Sequence, residues 1–255
     1  MTHDIATNRQ VWTVTGKDRF HFLQGLVSND MLPLEKAPGI LWAALLSPQG
    51  KYLADFFVIR PEDADHLLID IHKSIASDTL RRLTMYRLRA DVQITASDLT
   101  VTRGLGHAPP GAWADPRHPA LGWRGYGIVV DGPTVAIDWD AIRVDHCIPE
   151  TGIELVANDT YLLEAGFDRL HGVDFRKGCY VGQEVTARMK HKTVLKKGLV
   201  TVAISGTAPP GTPILSGDKE AGVLFTQAEG KAIAYLRFDR MEDMSAEAAR
   251  LTALT

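Results

Sequence analysis

The chain of 255 residues has only two cysteines, Cys147 and Cys179, and they form no CxxC pair. This excludes a disulfide framework, and without a nearby resolving cysteine it argues against a thiol-redox protein. No apolar run approaches the roughly 20 residues that a membrane helix needs. The nine histidines make no HExxH pair and no zinc-finger spacing with cysteine, and no Walker-type glycine loop is present. Charge of one sign is also lacking. The formal net charge is -3, which argues against a chain built to coat nucleic acid or an anionic membrane. The N-terminus, Met1-Thr2-His3-Asp4-Ile5, has no basic start followed by an apolar run. The expectation is therefore no signal peptide, a cytoplasmic location and two reduced thiols.

What is present is an ordinary globular composition, 45% hydrophobic and 23% charged, long enough for one large domain with a smaller one. Alternating or continuous apolar runs predict strands over 10–15, 39–46, 52–59, 67–71, 92–95, 99–105 and 126–130. Ser47-Pro48-Gln49-Gly50 reads as the turn of a hairpin. Helical spacing predicts helices starting near Asp18, over 74–88, over 137–144 and over 182–189. Residues 106–125, rich in Gly, Pro and His, read as a surface connection, and 148–175 as mostly irregular. Beyond residue 195, short β-type runs over 198–204, 221–225 and 231–238 suggest a small barrel. The expected domains are thus an α+β body over 1–194 and a β-barrel over 195–255.

The chemistry concentrates in Lys177-Gly178-Cys179-Tyr180-Val181-Gly182-Gln183-Glu184. Two glycines bracket the cysteine and permit a tight turn. A helix starting near Gly182, with Lys177 and Arg188 nearby, would favour thiolate, the form that attacks electrophiles and binds metal. Glu184 falls in the first helical turn. The alternative is a buried structural cysteine, but Lys, Gln, Glu and Arg make poor core neighbours.

This octet resembles the signature of the YgfZ family, folate-binding proteins related to the aminomethyltransferase of the glycine cleavage system. Thr15-Gly16-Lys17-Asp18, Phe22-Leu23-Gln24-Gly25 with Asn29-Asp30, Ser47 to Asp55, Tyr86-Arg87-Leu88-Arg89 and Ile148-Pro149-Glu150 look like further blocks of that family. The resemblance implies interleaved α+β subdomains around a central cavity, with a small C-terminal barrel. It implies a tetrahydrofolate-dependent role in iron–sulfur cluster assembly or repair, including clusters of tRNA-modifying enzymes. The partners would be an A-type cluster carrier and client enzymes. Cys179 would contact the partner or act as ligand to a transient, shared cluster. Trp139, Arg143, Tyr180, Gln183, Glu184, Arg188 and Asp55 would line the folate. A pterin needs a stacking face and a few fixed polar groups, which Trp139 and Asp55 could supply. Trp139 is equally readable as a core residue on a helix. The basic run Arg188, Lys190, Lys192, Lys196 and Lys197 could meet a polyglutamate tail or be a solvated linker. The competing function is a folate-dependent aminomethyl or one-carbon transferase. The related transferases carry two adjacent aspartates where this chain has Ala54-Asp55, which disfavours turnover.

Overall fold

The computed structural model describes residues 2–192 and 194–254. It divides into two units, Met1–Ile137 with Asp168–Val185, and Asp138–Phe167 with Thr186–Thr255.

The first unit is built on a five-stranded antiparallel sheet. Its spatial order is Gly39–Leu46, Tyr52–Arg60, Leu67–His72, Arg9–Thr15, Gln93–Ser97. Alternation decides its two faces. Trp12, Val14, Ala43, Leu45, Phe56, Val58, Ile69 and Ile71 point to a core closed by Phe20 and Leu23 of one helix and Ala76 and Leu83 of another. These helices are Arg19–Gln24 and Lys73–Arg87. The hairpin, the long helix and the five strands follow the sequence expectation within a few residues.

The opposite face carries Trp42, Asp55, Phe57 and Asp70. It meets a second, four-stranded sheet made of Thr2–Ile5, Val101–Leu105, Trp123–Tyr126 and Trp113–Ala114. Here the sequence reading needs correction. Residues 106–125 are not a surface connection, and the strand expected at 126–130 lies at Trp123–Tyr126 instead. The segment is held by charge. The Arg124 guanidinium donates to Asp70 at 2.6 Å and Arg117 to Asp115 at 2.9 Å, all four side chains being almost fully buried. Arg9 donates to Asp70 from the other side at 2.6 Å. The Arg124, Arg117 and Arg9 guanidiniums lie 4.0, 4.9 and 5.5 Å from the Phe57 ring centre. Hydropathy patterns register apolar burial, so a segment buried through arginine reads as loop.

The second unit contains a closed six-stranded antiparallel barrel spanning Lys197 to Ala253. Its interior is small-residue rich, with Ala221, Ala232, Ala234, Ala246 and Ala249 beside Val202, Ile214, Leu224, Leu236 and Leu251. Small side chains let so narrow a barrel close. The strands Pro213–Ser216, Met244–Ala246 and Ala249–Ala253 are too short to signal themselves in sequence. The domain boundary expected at residue 195 marks the barrel, but Asp138–Phe167 groups with the barrel rather than with the body. The reason is a buried pair. Arg143 bonds Glu154 at 3.0 Å and the Thr226 hydroxyl at 2.9 Å, and Thr226 donates to Glu154 at 2.5 Å.

Burial alone would raise the Asp70 carboxyl, but Arg9 and Arg124 outweigh it and hold it at about 2, below its ordinary 3.8. A depressed carboxyl contributes stability that is fully present above 3.8 and lost as pH falls through 2. We predict that Asp70→Asn costs about 3–5 kcal/mol at neutral pH. It should also remove on the order of 2 kcal/mol of the acid-dependent loss between pH 4 and 2. Urea melts of both proteins across that window measure this.

Candidate functional site

Three sequence blocks of the first unit converge on the cysteine loop. The Lys177 side chain turns inward. Its ammonium donates to the carbonyl oxygens of Gln24, Val27 and Asn29 at 2.8, 2.5 and 2.9 Å, which uses its three protons. It also sits 4.8 Å from the centre of the buried Tyr180 ring. Burial pulls the Lys177 pKa from 10.5 down to about 8, while Asp30 and Asp174 act in the opposite direction. The carbonyls are themselves held in place. Gln24 bonds Asp30 and the Met31 amide, and the Asn29 amide group donates to Trp42 and His171 carbonyls. Asp174 caps the turn by accepting from the Arg176 and Lys177 amides.

The expected role of Lys177, charge lent directly to the sulfur, is therefore replaced by an anchoring one. Two residues later the backbone has turned, and Cys179 is exposed as a free thiol. The helix Gln183–Lys192 begins four residues beyond it, with Glu184 exposed in the first turn and Gln183 half-buried.

The hairpin turn supplies the third support. Gly182 has φ +82°, and a Cβ there would lie 2.5 Å from the Ser47 carbonyl and 2.8 Å from the Leu46 side chain. Gly50, φ +74°, would meet Val185 at 2.7 Å. The two glycines thus let the turn and the helix start interlock. Gly178 has open space around it and no left-handed backbone, so only one of the glycines bracketing Cys179 is demanded by geometry.

Asp55 is buried on the hairpin. One carboxylate oxygen accepts from Trp42 Nε1 at 2.8 Å, the other from the Tyr52 hydroxyl at 2.7 Å. Sequence reasoning singled out Asp55 but missed Trp42 and Tyr52. The i, i+3 spacing of Tyr52 and Asp55 across a bulge carried no alternation signal, and Trp42 lies inside the apolar run 39–46, where nothing marks it out.

Trp139, Arg143 and Arg188 belong to the second unit. Trp139 is half-buried and opens the helix Trp139–His146, whose start Asp138 caps through the Ala141 amide. Arg143 is buried, and its N–H groups point to Asp140, the Ile148 carbonyl, Glu154 and Thr226. All five donors are spent within the protein, so Arg143 serves structure rather than a ligand. Arg188 is exposed on the helix after the cysteine loop. Cys147 ends the Trp139–His146 helix in a left-handed conformation, φ 50°, and is half-buried. Among the described residues no group of three or more His, Cys, Asp or Glu is placed to hold a metal ion.

Two outcomes follow. Gly182→Ala should lower stability by at least about 2 kcal/mol, because it adds a clash to a left-handed backbone, while Gly178→Ala should change it by less than about 0.5 kcal/mol. Thermal melts of the pair test this. Lys177→Met leaves three carbonyls without a donor and should cost roughly 1–3 kcal/mol. Its amide hydrogen exchange should accelerate over 174–182 well before it does in the barrel.

Residues 196–255 match the family model described as the C-terminal β-barrel domain of CAF17. The chain is 33% identical to "Iron-sulfur cluster assembly factor IBA57 homolog, mitochondrial" of Mycosarcoma maydis, over 80% of this chain and 58% of that protein. It is 29% identical to the Neurospora crassa homolog, over 80% and 54%, so it spans little more than half the length of these fungal relatives. With "Iron-sulfur cluster assembly factor IBA57, mitochondrial" of Mus musculus it shares 29% identity over 90% of this chain and 72% of that one. These relatives are named as mitochondrial proteins, which overturns the cytoplasmic location expected from the N-terminus. The glycine cleavage system aminomethyltransferase T of Bartonella henselae superposes with a TM-score of 0.77, covering 99% of this chain and 85% of that one at 13% identity. The chain therefore has the fold of that aminomethyltransferase, and in sequence it is similar to the IBA57 proteins, a related group to the one its cysteine octet resembles.

Proposed function

We propose that this protein binds tetrahydrofolate and assists assembly or repair of iron–sulfur clusters, those of tRNA-modifying enzymes among them, with Cys179 as the contact to cluster or carrier. The observation that carries the reading is the exposure of one thiol at the tip of a loop anchored on both sides of it. Lys177 fixes the loop before the sulfur and Gly182 fixes it after. A mobile thiol would pay orientation entropy on meeting a partner, whereas an anchored one is presented ready. Iron favours thiolate ligands, and a single cysteine from this chain leaves the remaining ligands to an A-type carrier, so the cluster is cargo shared between proteins. The names of the relatives support assembly as the process.

The folate half of the reading rests on the hairpin. Asp55 is a buried carboxylate that accepts from Trp42 Nε1 and from the Tyr52 hydroxyl, so an acidic group and two aromatic rings sit together on the hairpin. A flat aromatic ligand fits that combination of carboxylate and rings. Gln183 and Glu184, which belong to the same unit as Asp55, complete the proposed contacts, and Arg143 is left out because its donors are spent. When bound, the folate would supply a one-carbon carrier or a redox-active pterin.

The test mixes the protein with an A-type carrier, ferrous iron and sulfide under reducing, oxygen-free conditions. Cys179→Ser should lose the visible absorption band of the shared iron–sulfur cluster, while tetrahydrofolate still binds by calorimetry. A band of unchanged intensity in the variant would refute the assembly role of this cysteine. Asp55→Asn should weaken tetrahydrofolate binding at least about tenfold, the loss of one charge-assisted bond, and leave the band intact.

A further inference from the structure

The two edges of the five-stranded sheet are treated differently. At the Gly39–Leu46 edge, the segment 27–29 seals the backbone. The Ser28 amide donates to the Ala44 carbonyl at 2.9 Å, the Ala44 amide donates to the Ser28 hydroxyl at 2.8 Å, and Asn29 donates to the Trp42 carbonyl at 2.8 Å. At the other edge lies Gln93–Ser97, and among the described residues no strand pairs with its outer side. Its sequence, Gln-Ile-Thr-Ala-Ser, has no charge and no proline, and its register with Arg9–Thr15 runs without a bulge. Gln93, Thr95 and Ala96 are exposed. Natural sheets usually blunt such an edge with charge, proline, a bulge or a cover. None of these devices is used here.

The surface beside this edge is also unusual. Trp12 pairs with Ala96 and both lie on the helix side of the sheet. Between Trp12 and the helix Lys73–Arg87 is a cleft of about 580 Å³, with Gln10 and Trp12 on the sheet side and Leu80, Thr84 and Met85 on the helix side. Met85 is 71% and Leu88 88% exposed. Leu88 also takes φ 45° and ψ -105°, a backbone region that favours glycine. A leucine that is both exposed and strained is costly to a monomer. The rim is basic. Lys73 and Arg81 line the cleft, and residues 73–98 carry Lys73, Arg81, Arg82, Arg87 and Arg89 against Asp78, Asp91 and Asp98, a local net of +2 in a chain of net charge -3.

We propose that this edge takes up an extended segment of a protein partner, one that alternates apolar and acidic residues and adds as a sixth strand beside Gln93–Ser97. Backbone groups of the edge bind its main chain. Apolar residues on the helix-facing side enter the cleft above Trp12 and cover Met85 and Leu88. Acidic residues meet Arg81 and Arg87. Strand addition draws its affinity from main-chain bonds and its selectivity from alternate side chains, which matches the provision here. The surface is separate from the cysteine loop, so it serves recruitment whatever is delivered at Cys179.

Three nine-residue peptides test this on the full, isotope-labelled chain. The first alternates valine and glutamate, the second valine and lysine, and the third repeats the first with a central proline. The acidic peptide should shift and protect amides within Gln93–Ser97, and the lysine and proline peptides should bind at least tenfold more weakly. Reversing charge with Arg81→Glu and Arg87→Glu should move the preference to the lysine peptide. Equal binding of both charge patterns overturns the proposal, as does protection that ignores the proline or spares Gln93–Ser97. So does association of two copies through this edge in sedimentation runs without peptide. The contrast among peptides on the unaltered protein stands even if the double variant fails to fold.

Discussion

The site depends on an ammonium group held away from water. Lys177 gives its three protons to carbonyls of a segment about 150 residues earlier in the chain. Those carbonyls converge only after the Arg19–Gln24 helix has ended and residues 24–31 have been bound by Gln24, Asn29 and Asp30. Desolvating a cation is unfavourable, and the lowered pKa records it. The three bonds and the Tyr180 ring offset that cost, and they do so at one position of the loop only. An inward lysine and an outward cysteine two residues apart are then two sides of one turn. The sulfur is exposed because its neighbour is not.

Much of the scaffold was legible in the sequence. Hairpin, long helix, cysteine-loop helix and the start of the barrel all follow from periodicity and turn chemistry, because each buries apolar residues at regular spacing. Features built from charge were not legible. Residues 106–125 look like a loop and are locked by Arg117, Arg124 and their aspartates. Arg143 suggested a ligand contact and is consumed by Glu154, Asp140 and Thr226. Whether an arginine's partners are a ligand or its own protein is decided by residues remote in sequence, here up to 83 positions away. Cys179 was identified from its octet, but the octet gave no hint that its lysine faces the interior.

A shared fold fixes where groups can be placed in this molecule and leaves their chemistry open. Its architecture is that of an aminomethyltransferase at 13% identity. The exposed thiol of Cys179 sits on a loop within that architecture, and a shared fold does not prescribe what such a group does. Interlocked glycines tie that loop to the hairpin bearing Asp55, so the cysteine and the carboxylate rest on a common support within the first unit. A change in the turn at Gly50 would reach the helix start through Val185 without touching either functional group.

The division of the chain has a consequence for its synthesis. The first unit is interrupted after Ile137 and resumes at Asp168. A ribosome that has released the first 137 residues has produced carbonyls at positions 24, 27 and 29 with no ammonium to fill them. They stay open to solvent, or to a chaperone, until roughly forty more residues emerge. Any linear fragment that ends before Lys177 carries this vacancy permanently, and excising the barrel at residue 195 strands Glu154 and Arg143 without Thr226. Neither unit is a contiguous length of chain, so neither can be cut out as one uninterrupted segment.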